Sequence, residues 1–465
     1  MLKILIPTLI CLCSHIALSQ IPSSLSLSPY SGIERVQLNP ALGTASVYPW
    51  EINLAGAHVF AHTDYGFVRQ ANLLNLSGQL SEAEVIDGIS FLPEQSSIPL
   101  IIFDLDGGEK TGFLNARING PGFTASFREG TRLGLFSSFR LHGSAPTIPV
   151  NFGFYELNAS YDTEIINIDP AGMAAASWLE IGAHFSKDLE TLTFGVNLKY
   201  LRAHEGLYIN SDTDENYQFI DSIITVPPNV NFDLGFTTSS INANSLQSNF
   251  NGGGISIDLG ARMQLENLEL GLSILDIGAL QFSSNVEIYS QSVLSTITEI
   301  RTQDFRNFNT FRDFLDQLQN DLNIIPDVFS AFSIGLPTRL SLYGDYQYNE
   351  SIAISALVNQ RLPLFGNSLK SANTLVFTPR WESDLISVFL PVSIFEYSSI
   401  RPGLAFRIGP LTIGSDHITS VFVPTDFKGS DIFFALKIYP FNIESARSSG
   451  GRKSRRGKGV QCPIF

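Results

Sequence analysis

The sequence predicts an all-β fold: a transmembrane antiparallel β-barrel of about 14 strands with long extracellular loops and one helical excursion. Three observations predict it. Charged residues make up only 16% of the 465 positions against 44% hydrophobic ones, where a soluble globular chain carries about a quarter charged. The mean hydropathy is only +0.13, and no stretch after residue 20 supplies the roughly 18 consecutive apolar residues of a spanning helix. Period-2 alternation of apolar and polar residues recurs along the whole chain.

The first nineteen residues read as a signal peptide. Lys3 is the positive end, Ile4 to Leu12 the apolar core, and Ala17-Leu18-Ser19 the small-residue cleavage site before Gln20. Of three cysteines, Cys11 and Cys13 leave with this leader, and Cys462 alone cannot form an intramolecular disulfide. Residues 20–47 form an N-terminal segment placed in the periplasm or lumen, 48–442 the barrel, and 443–465 a basic periplasmic tail. The expected location is the bacterial outer membrane, with both termini in the periplasm and membrane lipid as a partner.

The alternation sorts side chains into two faces. In 191–201, Leu192, Phe194, Val196, Leu198 and Tyr200 oppose Thr193, Gly195, Asn197 and Lys199. In 255–263, Ile255, Ile257, Leu259, Ala261 and Met263 oppose Ser256, Asp258, Gly260 and Arg262. Arg339, Ser341 and Asp345 alternate with Leu340, Leu342 and Tyr346. Runs of about 9–12 residues match a tilted strand crossing the hydrocarbon layer, and short turns at 187–190, 266–267 and 349–351 join successive runs. In a barrel, the polar face looks inward. Asn197, Lys199, Asp258, Arg262, Arg339 and Asp345 are therefore the lumen-lining candidates, forming either a charged network or a channel wall. The last strand is expected at 431–441, with Ile432, Phe434, Leu436 and Ile438 on one face. Aromatic residues at run ends (Tyr48, Trp50, Trp178, Tyr346, Tyr348, Trp381, Phe395, Tyr397, Tyr439, Phe441) are expected to form interfacial girdles.

The excursions 73–108, 205–228 and 239–253 are polar, acidic or rich in Asn, Ser and Gly. The one at 295–327 is helical in pattern. Phe305, Phe308, Phe311, Leu315 and Leu318 recur at spacings of three and four, continue to Leu322, and stop at Pro326. Such a stripe packs on the barrel rim or in the lumen, serves as a gate or apolar-ligand surface, or docks a partner.

Catalytic and metal signatures are not apparent. His58 and His62, four apart on a strand, stand about 13 Å from each other, too far for one ion. Asp212–Asn216 opens like a calcium loop, but Tyr217 stands where the turn requires glycine. No cofactor, metal or enzymatic activity is expected. After the leader, six basic residues crowd 447–465, and the body from 20 to 446 holds 22 basic against 44 acidic residues. So acidic a body makes nucleic acid an unsuitable partner. The tail residues Arg452, Lys453, Arg455, Arg456 and Lys458 are candidates for docking a periplasmic protein or acidic envelope polymer.

Asn39-Pro40-Ala41 ahead of the first strand, Gly409-Pro410-Leu411-Thr412-Ile413-Gly414-Ser415-Asp416 in a late hairpin, and the terminal Cys462-Pro463-Ile464-Phe465 after a basic stretch carry a resemblance. They resemble an uncharacterised outer-membrane family (a domain of unknown function) of gliding-type bacteria. That family is similar to long-chain fatty-acid transporter barrels and, more loosely, to type IX secretion accessory barrels. The resemblance implies one barrel with its N-terminal segment in or near the lumen, and no catalytic residue. Together with the Phe-rich stripe it implies transport or channelling of a small apolar solute. The alternative expectation is a structural or secretion accessory barrel docking through its tail.

Overall fold

The computed structural model describes residues 25–82, 84–87, 100–104, 110–127, 130–148, 164–168, 172–211, 215–220, 223–226, 231–238, 250–292, 298–301 and 331–440. Fourteen staves, each antiparallel to the next, close a barrel when the last pairs with the first. In chain order the first seven are β1 (Trp50–Thr63), β2 (Lys110–Asn119 continued by Gly122–Phe127), β3 (Thr131–Ile148), β4 (Gly172–Leu189), β5 (Leu192–Ser211), β6 (Gly252–Leu265) and β7 (Leu268–Phe282). The second seven are β8 (Phe332–Gly335 with Arg339–Gln347), β9 (Ile352–Arg361), β10 (Thr374–Glu382), β11 (Ile386–Phe389 with Val392–Phe395), β12 (Ser399–Pro402 with Leu404–Ile408), β13 (Leu411–Ser415) and β14 (Gly429–Ile438). Closure runs from Ile52 opposite Ile438 to His62 opposite Gly429. A closed ring leaves no edge strand whose backbone groups would face lipid unpaired.

Alternation fixes the register of the wall. Phe194, Leu198, Ile255, Leu259, Leu270, Leu272, Leu342, Phe377, Ile413 and Phe434 are exposed on the outside. Thr193, Asn197, Ser256, Asp258, Ser273, Ser341 and Thr412, in the intervening positions, are buried inside. Slipping any strand by one residue would turn its polar set toward lipid. The tight turns that join β4 to β5 and β6 to β7 use Glu190 (φ 72°) and Glu266 (φ 40°) in the left-handed region. These turns lie at the end of the barrel shared by Trp50 and Ile438, the base. The long connections leave from the opposite rim.

The wall is taller on one side than the sequence runs predict. β5 has 20 residues and β9 only 10. Residues 205–211, expected in a loop, continue β5. They do so because the chain shifts register at His204 and then pairs with a strand at Asn231–Thr237, outside the neighbouring stave. Two four-stranded sheets lie outside the barrel sheet. One joins Gly66–Ala71, Glu84–Asp87, Leu100–Phe103 and Thr425–Phe427. The other joins Glu164–Ile168, Glu215–Ile220, Ile223–Val226 and Thr298–Arg301.

The girdle expectation divides. Trp50, Tyr346, Tyr348, Trp381 and Tyr397 are exposed, as girdle residues are. Trp178, Tyr48, Phe395 and Tyr439 are buried instead. Tyr48 and Tyr439 stack at 4.1 Å under the base, and Trp178 points into the lumen. Position near a strand end does not reveal which face a ring occupies, whereas strand parity does.

Candidate functional site: a plugged and charged lumen

The N-terminal segment fills the base. Helix α1 (Ile33–Leu38) is short and buried on every side, including Glu34, Arg35 and Gln37. It ends at Asn39, whose side-chain oxygen accepts from the Ala41 amide at 2.9 Å and so caps the turn Pro40–Ala45. That turn packs on β3, β4, β5 and β6. Leu27, Leu38 and Leu42 meet Tyr343, Leu357 and Val376 of β8, β9 and β10 across the ring. The segment therefore spans the barrel bore from one wall to the other.

Polar wall residues hold it by name. Asn197 donates to Val36 O at 2.8 Å and Ser273 to Leu38 O at 2.8 Å. The Asn39 amide donates to Ala261 O at 3.1 Å and Leu272 O at 3.2 Å. Lys437 pairs with Glu34 at 2.9 Å. Arg262 pairs with Glu269 at 2.8 Å, and Arg35 approaches the same carboxylate at 3.6 Å. Ser28 donates to Glu382, which Arg380 also holds at 2.9 Å while gripping Asp345 through two bonds of 2.7 and 2.8 Å. The wall supplies both the charges and the matching gaps: Gly195 and Gly260, directly paired on β5 and β6, have no side chain where Pro40 and Asn39 press in.

Above the plug lies an ionic layer centred on Asp276. A bulge between β6 and β7 puts Asp276 at φ 58° and turns it into the lumen. It receives two bonds from Arg140 at 2.8 and 3.1 Å, one from Lys199 at 2.8 Å and one from Arg339 at 3.4 Å. Lys199 also bonds Asp258 at 2.7 Å, and Glu180 is held by Arg117, Arg140 and Ser138. Asp276, Glu180, Arg140 and Lys199 each pair with more than one opposite charge, which offsets the desolvation that burial exacts.

The ionic layer gives way to an apolar one. Trp178, Leu201, Tyr208, Leu280, Phe282, Phe332 and Ile334 pack with Ala174, Ala176 and Ala203 into an apolar layer inside the barrel near the rim. Phe282 stacks on Phe332 at 4.9 Å, and the Arg140 guanidinium lies 4.7 Å from the Trp178 ring, joining the two layers. The connection 362–373, between β9 and β10, turns inward over this layer. It bonds Gly335 of β8 through Asn367 O and the Leu369 amide. It also reaches β3 on the far side, where the Lys370 amide donates to Ser144 at 2.9 Å and His142 donates to Lys370 O at 3.0 Å. Leu369 packs into the apolar layer, and Ala372 packs on Phe60, Phe113 and Phe395. The lumen is thus closed twice, by a polar plug at the base and an inward loop at the rim.

Residues 42–416 match the model of a family of unknown function, DUF5723. The chain belongs to that family. No curated protein matches it. Among solved structures, it is similar to the toluene transporter TodX of P. putida at 10% identity and TM-score 0.42, covering 88% of this chain and 93% of that one. It is also similar to a FadL homologue of Pseudomonas aeruginosa at 10% identity and TM-score 0.41, covering 89% and 93%. The translocator domain of autotransporter NalP from Neisseria meningitidis shows 7% identity and TM-score 0.30, covering 84% and 88%.

All six lumen candidates project inward in this member of the family. Asn197, Lys199, Asp258 and Arg339 join the Asp276 layer, whereas Arg262 and Asp345 belong to the ion pairs around the plug. Sequence parity did not reveal Asp276, because the bulge changes parity just before it. Glu180 and Arg140 lie on the polar faces of the alternating runs near 178–186 and 131–141, where nothing local marks them from other inward polar residues, and Arg117 lies outside the runs that alternation picks out. The helical stripe with Phe305, Phe308, Phe311, Leu315 and Leu318 lies outside the described residues, as does the tail with Arg452, Lys453, Arg455, Arg456 and Lys458.

Proposed function

We propose that this chain is an outer-membrane transport barrel for a small apolar solute, held shut in this structure. The observation that carries the reading is the apolar layer packed inside the barrel behind the rim. A pore for polar solutes needs a polar wall throughout, yet here Trp178, Tyr208, Phe282 and Phe332 face inward under a loop that covers them. An apolar interior with few polar groups suits an apolar ligand once it opens. The ionic layer and plug beneath close the path to water and hold back leakage until they move.

The test is flux through proteoliposomes. Replacing 363–372 with a short Gly/Ser linker should speed entry of a small apolar fluorophore while leaving a hydrophilic dye excluded by the plug. Equal fluorophore entry in a variant that keeps its folded, heat-modifiable mobility would sink the proposal.

A further inference from the structure

Every lysine and arginine in the fourteen staves is buried or half-buried except one, Arg202. It stands on the outside of β5, in register with Leu192, Phe194, Leu198 and Tyr200, all of them exposed. Ten residues above Leu192, at ~3.4 Å per residue and ~40° of tilt, it stands ~25 Å higher along the membrane normal. That matches the height of the apolar band of a membrane barrel, so Arg202 emerges where hydrocarbon gives way to headgroups.

The guanidinium is prepared rather than loose. Its carbon lies 4.1 Å from the centroid of the Phe250 ring, which is itself part exposed and edge-on to His204 at 6.3 Å. Stacking occupies the face of a guanidinium and leaves its N–H edges to bind. Arg202 forms no hydrogen bond or ion pair with another described residue. The nearest acid in sequence, Glu205, is engaged by Thr237 and approaches His204 at 3.8 Å. Directly across the strand pair stands Gly253, and a Cβ built there would meet only Leu201 O, at 3.1 Å. The wall beside the cation is therefore open on the lipid side.

We infer that Arg202, stacked on Phe250 and flanked by Tyr200 and Gly253, binds the phosphate of a lipid headgroup in the leaflet at the rim end. The phosphate accepts from the guanidinium edge in the two-bond geometry that suits it, Tyr200 lies at the acyl boundary, and the bare backbone at Gly253 admits the headgroup. The occupant is a phospholipid or other phosphate-bearing lipid, selected by charge among otherwise apolar neighbours.

Native mass spectrometry of the full chain in an uncharged, phosphate-free detergent, titrated with phosphatidylglycerol, tests the assignment. Arg202→Ala should weaken the first bound lipid about fivefold, the effect of one cation at an anionic lipid surface. Arg202→Lys should keep part of that affinity. Gly253→Leu, which keeps the cation but fills the open wall, should weaken it as well, and neither change should affect binding of diacylglycerol. The inference is overturned if Arg202→Ala and Gly253→Leu both bind phosphatidylglycerol as the parent does. It is equally overturned if inorganic phosphate alone displaces the lipid, which would mark an adventitious anion contact.

Discussion

Asn39 and Gly260 share one space: a Cβ built on Gly260 would stand 2.0 Å from the Asn39 side-chain oxygen and 2.9 Å from Pro40 Cδ. The tip of the plug is seated in the wall at the place where the wall has no side chain. Gly260→Ala should therefore unseat the plug while leaving the outer face of the barrel unchanged. The overpacking should cost about 1–3 kcal/mol. Limited proteolysis at 25–48 should become faster and single-channel conductance should rise above the parent's. A parent-like rate and conductance would show that the plug is not seated through this contact.

That seat also shows how far the sequence reaches. The alternation through 191–201 and 255–263 gave the strands, their faces and the inward direction of Asn197, Lys199, Asp258 and Arg262. It did so because lipid on one side and packed polar groups on the other enforce a strict period of two. Asn39-Pro40 was readable as a turn before the first strand, but its partners Ala261 and Leu272 lie more than 220 positions away and carry no local signal. The inward loop 362–373 was hidden for a different reason. Its Gly, Asn and Ser residues are those of any surface turn, and only the tertiary reach to Ser144 and His142 distinguishes it. Trp178 was misassigned to a girdle because β4 continues past the predicted run.

Asp276 gathers Arg140, Lys199 and Arg339, so losing its charge leaves three cations under-compensated in a buried layer. Removing one partner of a buried pair costs about 3–5 kcal/mol. Asp276→Asn keeps the shape and should destabilise the fold by that order, read as a lower urea midpoint of unfolding. Arg339→Met should cost much less, because its contact is the longest of the set at 3.4 Å. If the two variants unfold at the same midpoint, the hub role assigned to Asp276 is wrong.

Trp178 is fully buried and joins the Arg140 guanidinium to the apolar layer. Trp178→Ala should cost about 3–5 kcal/mol for the cavity it leaves. The same cavity opens space in the apolar layer, so bulkier apolar solutes should enter proteoliposomes faster relative to small ones. A uniform change for all sizes would separate lost stability from altered selection.

Acid should loosen the rim next to β14. His417 precedes the short helix Ile418–Phe422 and packs beside Arg401 and Asp431; burial first, and the Arg401 charge second, lower its pKa from 6.5 to about 4. The exposed imidazole of an opened segment takes its proton near 6.5, while the seated one takes it only near 4. The open form thus binds more protons between these values, and stability there rises with pH. The seat is at full strength above pH 6.5 and weakens as pH falls toward 4. The Leu73 amide, which donates to Ser420 O at 2.9 Å, reports on it. After correction for intrinsic chemistry, its hydrogen exchange should accelerate as pH drops from 6.5 to 4.5, and His417→Gln should remove that dependence. Persistence of the slope in His417→Gln would assign the titration to another group at the rim, with His62 the next to examine.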